Sequence, residues 1–86
     1  MYELKTRNKK VEKKLKEYIN LRKGIKDKLD RLRQNPRREC GAHQLHGILK
    51  GKWVCWLGSN IRMVYEIADA ELIILVEEVG THNKVY

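Results

Sequence analysis

From Asn8 onward the apolar residues fall at helical intervals. Val11, Leu15, Tyr18 and Ile19 stand at i, i+4, i+7 and i+8, while Lys9, Lys10, Lys13, Lys14 and Lys16 lie mostly off that stripe. This spacing predicts an amphipathic helix with one face for a core. Thr6 or Asn8 can cap it, because a short polar side chain satisfies an orphan N–H of the first turn. Glu12 stands in the early turns, where the helix dipole favours an anion. The phase breaks over residues 20–24. Leu21, Ile25, Leu29 and Leu32 then repeat at i, i+4, i+8 and i+11, a second amphipathic helix. It has to stop before Pro36, since the residue preceding proline is pushed out of the helical region. Two such helices with a tight connection make a helical hairpin.

Beyond Pro36 the period shortens. Residues 37–52 hold Gly41, Gly47 and Gly51 with His43, Leu45 and Ile48, a turn, a strand and another turn. Residues 53–57 are rich in aromatic and branched side chains, and Gly58-Ser59-Asn60 is a turn cluster. Residues 61–67 alternate: Ile61, Met63, Tyr65 and Ile67 on one side, Arg62 and Glu66 on the other. After a turn at residues 68–71, residues 72–79 are apolar on both faces at first, as suits a central strand, and Gly80 closes it. Residues 2–6 are consistent with an opening strand. The predicted fold is therefore α+β, in the order β-α-α-β-β-β: an N-terminal strand and a helical hairpin packed on one face of a small antiparallel sheet. Helices on one face leave the other free, and Arg62 belongs to that free face. Trp53 and Trp56 are three apart and point to opposite sides. Trp53 shares its parity with Cys55 and Leu57, so it goes to the core.

The chain has 86 residues, enough for one domain spanning 1–86. Its formal charge of +8 is unevenly spread. Residues 1–40 carry 15 basic and 6 acidic side chains, whereas residues 41–86 carry 4 and 5. A basic half suits a polyanion or an acidic partner. Cys40 and Cys55 are too few for a disulfide framework, and no set of Cys and His has zinc-ligand spacing. Neither a metal nor another cofactor is expected. Two reduced thiols suit a cytoplasmic protein. No apolar run has the length of a signal-peptide core or of a membrane span.

Several segments together resemble the RelE/ParE toxins, nearest to the RelE- and YafQ-like branch of messenger-RNA interferases. Asn35-Pro36 is similar to the pair that follows the second helix there. His43-Gln44-Leu45-His46-Gly47 is similar to an "H-x-L-x-G" step. Gly51-Lys52-Trp53 and Ile61-Arg62-Met63-Val64-Tyr65-Glu66-Ile67 are similar to the "G-x-W" and "Y-R-[IL]-[IV]-Y-x-I" strands. Gly80-Thr81-His82-Asn83-Lys84-Val85-Tyr86 is similar to the closing "G-T-H-x-x-[VL]-[YF]". The five pieces keep their order and approximate spacing over nearly the whole chain.

The resemblance implies a toxin of a type II toxin–antitoxin system, an endoribonuclease that cuts mRNA without a metal, on the ribosome or off it. It implies a cognate antitoxin as partner and no membrane association. A second reading is a ParE-like toxin of the same fold that inhibits DNA gyrase and is no nuclease. A third is a plain nucleic-acid-binding module using its basic helices. Metal-free cleavage needs a base for the ribose 2′-hydroxyl, cations for the crowded phosphate and an acid for the departing 5′-oxygen. The resemblance assigns these tasks to Arg62, His82 and Tyr86. A guanidinium grips phosphate through parallel hydrogen bonds, and an imidazole changes charge near neutral pH. A terminal tyrosine can stack on a base or share in proton transfer. His43, Lys50, Lys52 and Lys84 are candidates for further phosphate contacts, and Trp56 for a surface on which a base stacks. Each has a plainer alternative. Arg62 can pair with Glu66 or a neighbouring carboxylate, Lys50 and Lys52 can be solvated turn lysines, His43 and His46 can be turn residues bonded to backbone, and Tyr86 can pin the C-terminus. Some family members place lysines or a histidine where this chain has Val54, Cys55 and Trp56, which leaves the general base unassigned.

Overall fold

The computed structural model describes residues 1–47 and 51–81. The chain runs through strand β1 (Glu3–Thr6), helices α1 (Lys9–Leu21) and α2 (Lys23–Gln34), and a single 3₁₀ turn at Glu39–Gly41. Strands β2 (His43–Gln44), β3 (Trp53–Gly58), β4 (Ile61–Ala68) and β5 (Ile73–Thr81) follow. The five strands form one sheet in the order β1-β5-β4-β3-β2.

The helices form where the apolar period predicted them. Asn8 is the cap of α1, its side chain accepting from the Val11 N–H at 2.9 Å. Val11 and Leu15 of α1 and Ile25, Leu29 and Leu32 of α2 are buried against Cys55, Leu57, Met63, Tyr65 and the apolar residues of β5. Arg22 alone separates the helices. Its extended backbone (φ −136°) ends one helix and starts the next. Leu21 therefore belongs to the last turn of α1 and is 78% exposed, so it does not join the α2 stripe as its spacing suggested. Asn35 closes α2 one residue before Pro36.

Two features of the sheet differ from the expected antiparallel meander. β1 lies parallel to β5, pairing Glu3 with Ile73 through to Thr6 with Val76. Its start is tied to the end of α2, because the Tyr2 N–H donates to the Arg33 carbonyl at 2.8 Å and Arg33 Nε donates back to the Tyr2 carbonyl at 2.9 Å. The last strand also begins one residue later than the apolar run. Leu72 sits in the turn with φ 55° and is half exposed, and its N–H bonds the Asp69 carbonyl at 3.1 Å. A left-handed backbone at a leucine costs roughly 1–2 kcal/mol, and the turn enforces it. Gly80 lies within β5, which continues to Thr81.

Bulges set the register. Beside the turn at Ser59 and Asn60, Gly58 pairs with Ile61, yet Trp56 pairs with Arg62, so Leu57 is the extra residue. In β5, Val64 pairs with Glu78 and Tyr65 with Val76, so Glu77 is extra. The first bulge keeps Leu57 buried among the core residues while Trp56 turns to the other face. Tyr65, fully buried, spans the core and donates its hydroxyl to the Pro36 carbonyl at 2.7 Å.

Candidate functional site

The face of the sheet away from the helices carries the candidate chemistry. In register across it run His43, Val54, Val64 and Glu78, and beside them Trp56, Arg62 and Gly80. The face is not free at its centre: Val54 and Val64 are both buried. They form a short apolar strip between two polar groups.

On one side of that strip, the Arg62 guanidinium carbon stands 4.0 Å from the centroid of the Trp56 ring. Both residues are half-buried. A guanidinium over an indole is held by the ring's negative face, an attraction of about 0.5–2 kcal/mol depending on desolvation. The indole edge abuts the backbone of Gly41, where an added Cβ would lie 3.2 Å from Trp56 Cδ1. Gly41 has φ 65°, and Cys40 before it has φ 58°, so the 3₁₀ turn passes through two left-handed residues to bring backbone against the ring. His43 is exposed, and its Nδ1 lies 3.2 Å from the Gly41 carbonyl.

On the other side, Lys52 is held by Glu66 and by Glu77, the latter at 3.1 Å. Glu66, and then Glu77, push the ammonium's pKa up by favouring its charged form, against the cost of desolvation. Glu66 is thus bonded to Lys52. Arg62 lies four residues away along β4, about 13 Å at strand spacing, and is stacked on Trp56 instead.

Of the residues picked out in the sequence, the fold brings Arg62, Trp56, His43 and Lys52 to one face. Trp56, expected to offer its face to a base, lies against Arg62, and Lys52, expected on phosphate, is met by two carboxylates. Lys50, His82, Lys84 and Tyr86 lie outside the described residues. Sequence reasoning missed Gly41 and Glu77. Their signals were a glycine after a 3₁₀ start and an acidic pair breaking the alternation of β5, and neither names a partner without the register. Among the described residues no group of three His, Cys, Asp or Glu is placed to hold a metal ion. None of the described helices is long and apolar enough to cross a membrane.

The model of the ParE toxin of type II toxin–antitoxin systems matches residues 2–86. The chain belongs to this toxin family. Solved structures carry the same fold. A metal-bound toxin from Helicobacter pylori superposes with a TM-score of 0.73 at 23% identity, covering 100% of both chains. The toxin–antitoxin complex RelBE2 from Mycobacterium tuberculosis gives 0.73 at 17%, covering 94% of this chain and 98% of that one. The H87Q mutant of YafQ from E. coli gives 0.66 at 17%, covering 100% and 99%. No curated protein matches the chain. The protein is a toxin of a type II toxin–antitoxin system with a RelE-like α+β fold.

Proposed function

We propose that this toxin is an endoribonuclease that cuts mRNA by attack of a ribose 2′-hydroxyl on the adjacent phosphate. The observation that carries the reading is the stacked Arg62, a planar cation set on the sheet face opposite the helices. In the reaction the 2′-oxygen forms a bond to phosphorus as its proton leaves to a base. The bond to the 5′-oxygen breaks, and that oxygen takes a proton from an acid. Negative charge accumulates on the non-bridging oxygens, and a guanidinium meets it with two parallel N–H donors. Arg62 has this role. His82 transfers protons, and Tyr86 stacks on a base or shares in proton transfer. His43, Lys50 and Lys84 contribute further phosphate contacts. Cationic side chains take the phosphate, so the mechanism calls for no metal. Binding rests on phosphate contacts and weakens steeply with salt, on the ribosome or free of it. A cognate antitoxin with an acidic or amphipathic segment ordering on the basic surface restrains the toxin in the cytoplasm.

A second reading, inhibition of DNA gyrase without RNA cleavage, is favoured by the match to the ParE toxin model. One experiment separates the two. The toxin is induced in a cell lacking antitoxin, as wild type, Arg62→Ala and His82→Ala, with mapping of message ends and a gyrase supercoiling assay on the purified proteins. Cut messages with wild type, and intact ones with both folded variants, support the nuclease and its two residues. Growth arrest with intact messages and blocked supercoiling overturns the nuclease and carries the second reading.

A further inference from the structure

β1 stands at the outer end of the sheet, with β5 on one side and, among the described residues, no strand on the other. The Glu3 and Arg7 N–H groups donate to the Leu72 and Val76 carbonyls, so the odd positions of β1 face β5. Backbone groups alternate in direction along a strand, and the N–H and C=O of Leu4 and Thr6 therefore point outward. An open edge of this kind is a template for another strand. Between β1 and α1 lies a groove of about 420 Å³, walled by Leu4, Leu15 and Ile19 and also by Glu12 and Lys16. The side chains of Glu3 and Lys5 are exposed, and Lys5 Nζ stands 3.9 Å from Glu3 Oε1.

We infer that the edge of β1 pairs with the same edge of a second copy of this chain. A two-fold interface sets residue i against j and j against i, so it closes only on a self-complementary surface. With Leu4 on the axis, the two Leu4 residues exchange both N–H···O bonds, and Glu3 of each copy stands opposite Lys5 of the other. Opposite charges directly across paired strands attract, and like charges repel. Centring on Lys5 instead sets two lysines against each other. The signs also choose the occupant, because a strand bearing only acidic residues gains at Lys5 and loses at Glu3. The axis runs perpendicular to the sheet, so the helices of both copies lie on one side and the two grooves meet there. Their apolar walls supply burial that four residues of strand lack. The formal charge of +8 opposes association, so the dimer is weak, with a Kd on the order of 10–100 μM. β5 separates this edge from β4 and Arg62, and the inference therefore stands whether or not the toxin is a nuclease.

The test is sedimentation equilibrium of the full chain, purified away from antitoxin, from about 1 μM to about 500 μM, a range that brackets that Kd. Wild type is compared with Glu3→Lys, Lys5→Glu and the double exchange Glu3→Lys/Lys5→Glu, each checked for a cooperative thermal melt. Both single variants set like charges across the axis and are expected to weaken the dimer by roughly 10-fold or more. The double exchange restores opposite signs and with them the wild-type Kd. Net charge alone predicts otherwise, since Glu3→Lys makes the chain more basic and Lys5→Glu less so. A Lys5→Glu variant that dimerises more tightly than wild type overturns the inference, as does a double exchange that fails to restore the dimer. Amide exchange of the Leu4 N–H gives a second measurement that needs no variant. Its protection is expected to rise with protein concentration, because the bond that shields it lies between copies. A wild-type chain that stays monomeric across the range overturns the inference. So does Leu4 protection that appears only on adding antitoxin, which would give the edge to a strand of that partner.

Discussion

The two faces of this sheet hold themselves in different ways. On the helical side, Cys55, Met63, Tyr65, Ile74 and Val79 are wholly shut from water beneath α1 and α2. On the other side, Val54 and Val64 are a narrow apolar strip flanked by the Arg62–Trp56 stack and the Lys52 cluster. Burial stabilises the first face, so it should answer to changes in side-chain volume. Pairing of charges organises the second, so it should answer to charge and salt. A family that keeps one fold while varying its chemistry can do so by altering the second face without touching the first.

The largest effect is expected where the helical face is hollowed. Leu32 of α2 is completely buried. Leu32→Ala removes apolar area and leaves a cavity, a loss of about 2–5 kcal/mol, a large share of the roughly 5–15 kcal/mol that holds a domain folded. Urea unfolding should show a lower midpoint with an unchanged slope. Arg62→Ala on the opposite face should lower stability by no more than about 2 kcal/mol, the upper end of its stacking on Trp56. Equal losses at the two positions would break the division between the faces.

Tyr65 comes next, because it is a polar group on the apolar face. Burial pushes its phenol pKa well above the ordinary value, so it remains a donor, bonded to the Pro36 carbonyl. Tyr65→Phe keeps the ring and strands that carbonyl, which should cost about 1–3 kcal/mol. If the midpoint does not move, water reaches the Pro36 carbonyl in the variant.

The helical face was largely legible in the sequence, and the reason is local. Helical and strand periods are written in consecutive residues, so Val11 through Leu32 and the alternation from Ile61 announced themselves. What failed needed distant partners. Leu21 fitted the α2 period but ends α1, because Arg22 breaks the helix. Nothing near residues 2–6 says that β1 joins β5 in parallel, 70 residues downstream. The sheet's other face was legible only as parity. Alternation put Arg62 away from the core, but its meeting with Trp56 depends on the bulge at Leu57. A regular hairpin closing on Gly58 and Ile61 would pair Leu57 with Arg62. The bulge at Glu77 likewise decides that two carboxylates, and not one, reach Lys52.

Removing Lys52 probes the charged face directly. In Lys52→Met the stem's apolar contacts survive, but Glu66 and Glu77 are left facing each other. A loss of about 1 kcal/mol is expected in dilute buffer, modest because the cluster is partly solvated. It should shrink as salt is raised toward molar concentration. The Leu32→Ala loss should be insensitive to salt, so the two variants measured at low and high salt test whether the faces differ in kind. A salt-independent loss in Lys52→Met would place its contribution in packing.

The smallest effect belongs to the sheet's far end, where Tyr2, Arg37 and Asp69 clamp β1 to the β4–β5 turn. Arg37 donates to both Asp69 oxygens, at 3.0 and 2.7 Å, and the Tyr2 hydroxyl donates to the same carboxylate at 2.6 Å. Arg37 foremost, and then Tyr2, lower the Asp69 pKa from 3.8 to about 2. A carboxylate with a depressed folded-state pKa stabilises the fold above its unfolded pKa, and the contribution is lost as pH falls through the folded value. The window therefore runs from about pH 4 down to about pH 2. The same carboxylate raises the Tyr2 pKa above 10.0. A phenol held protonated stabilises the fold below its unfolded pKa, and that contribution is lost as pH rises through the higher folded value. Asp69→Asn keeps the shape and removes the charge. The gap between the melting temperatures of wild type and variant should be widest between about pH 4 and 9, narrowing at both ends. It is measured as a difference because other carboxylates titrate in the same acid range. The clamp is exposed, so the whole gap should be small and should shrink in salt. A gap that stays constant from pH 2 to 7 would mean that Asp69 contributes through turn geometry, which asparagine shares, and not through its charge.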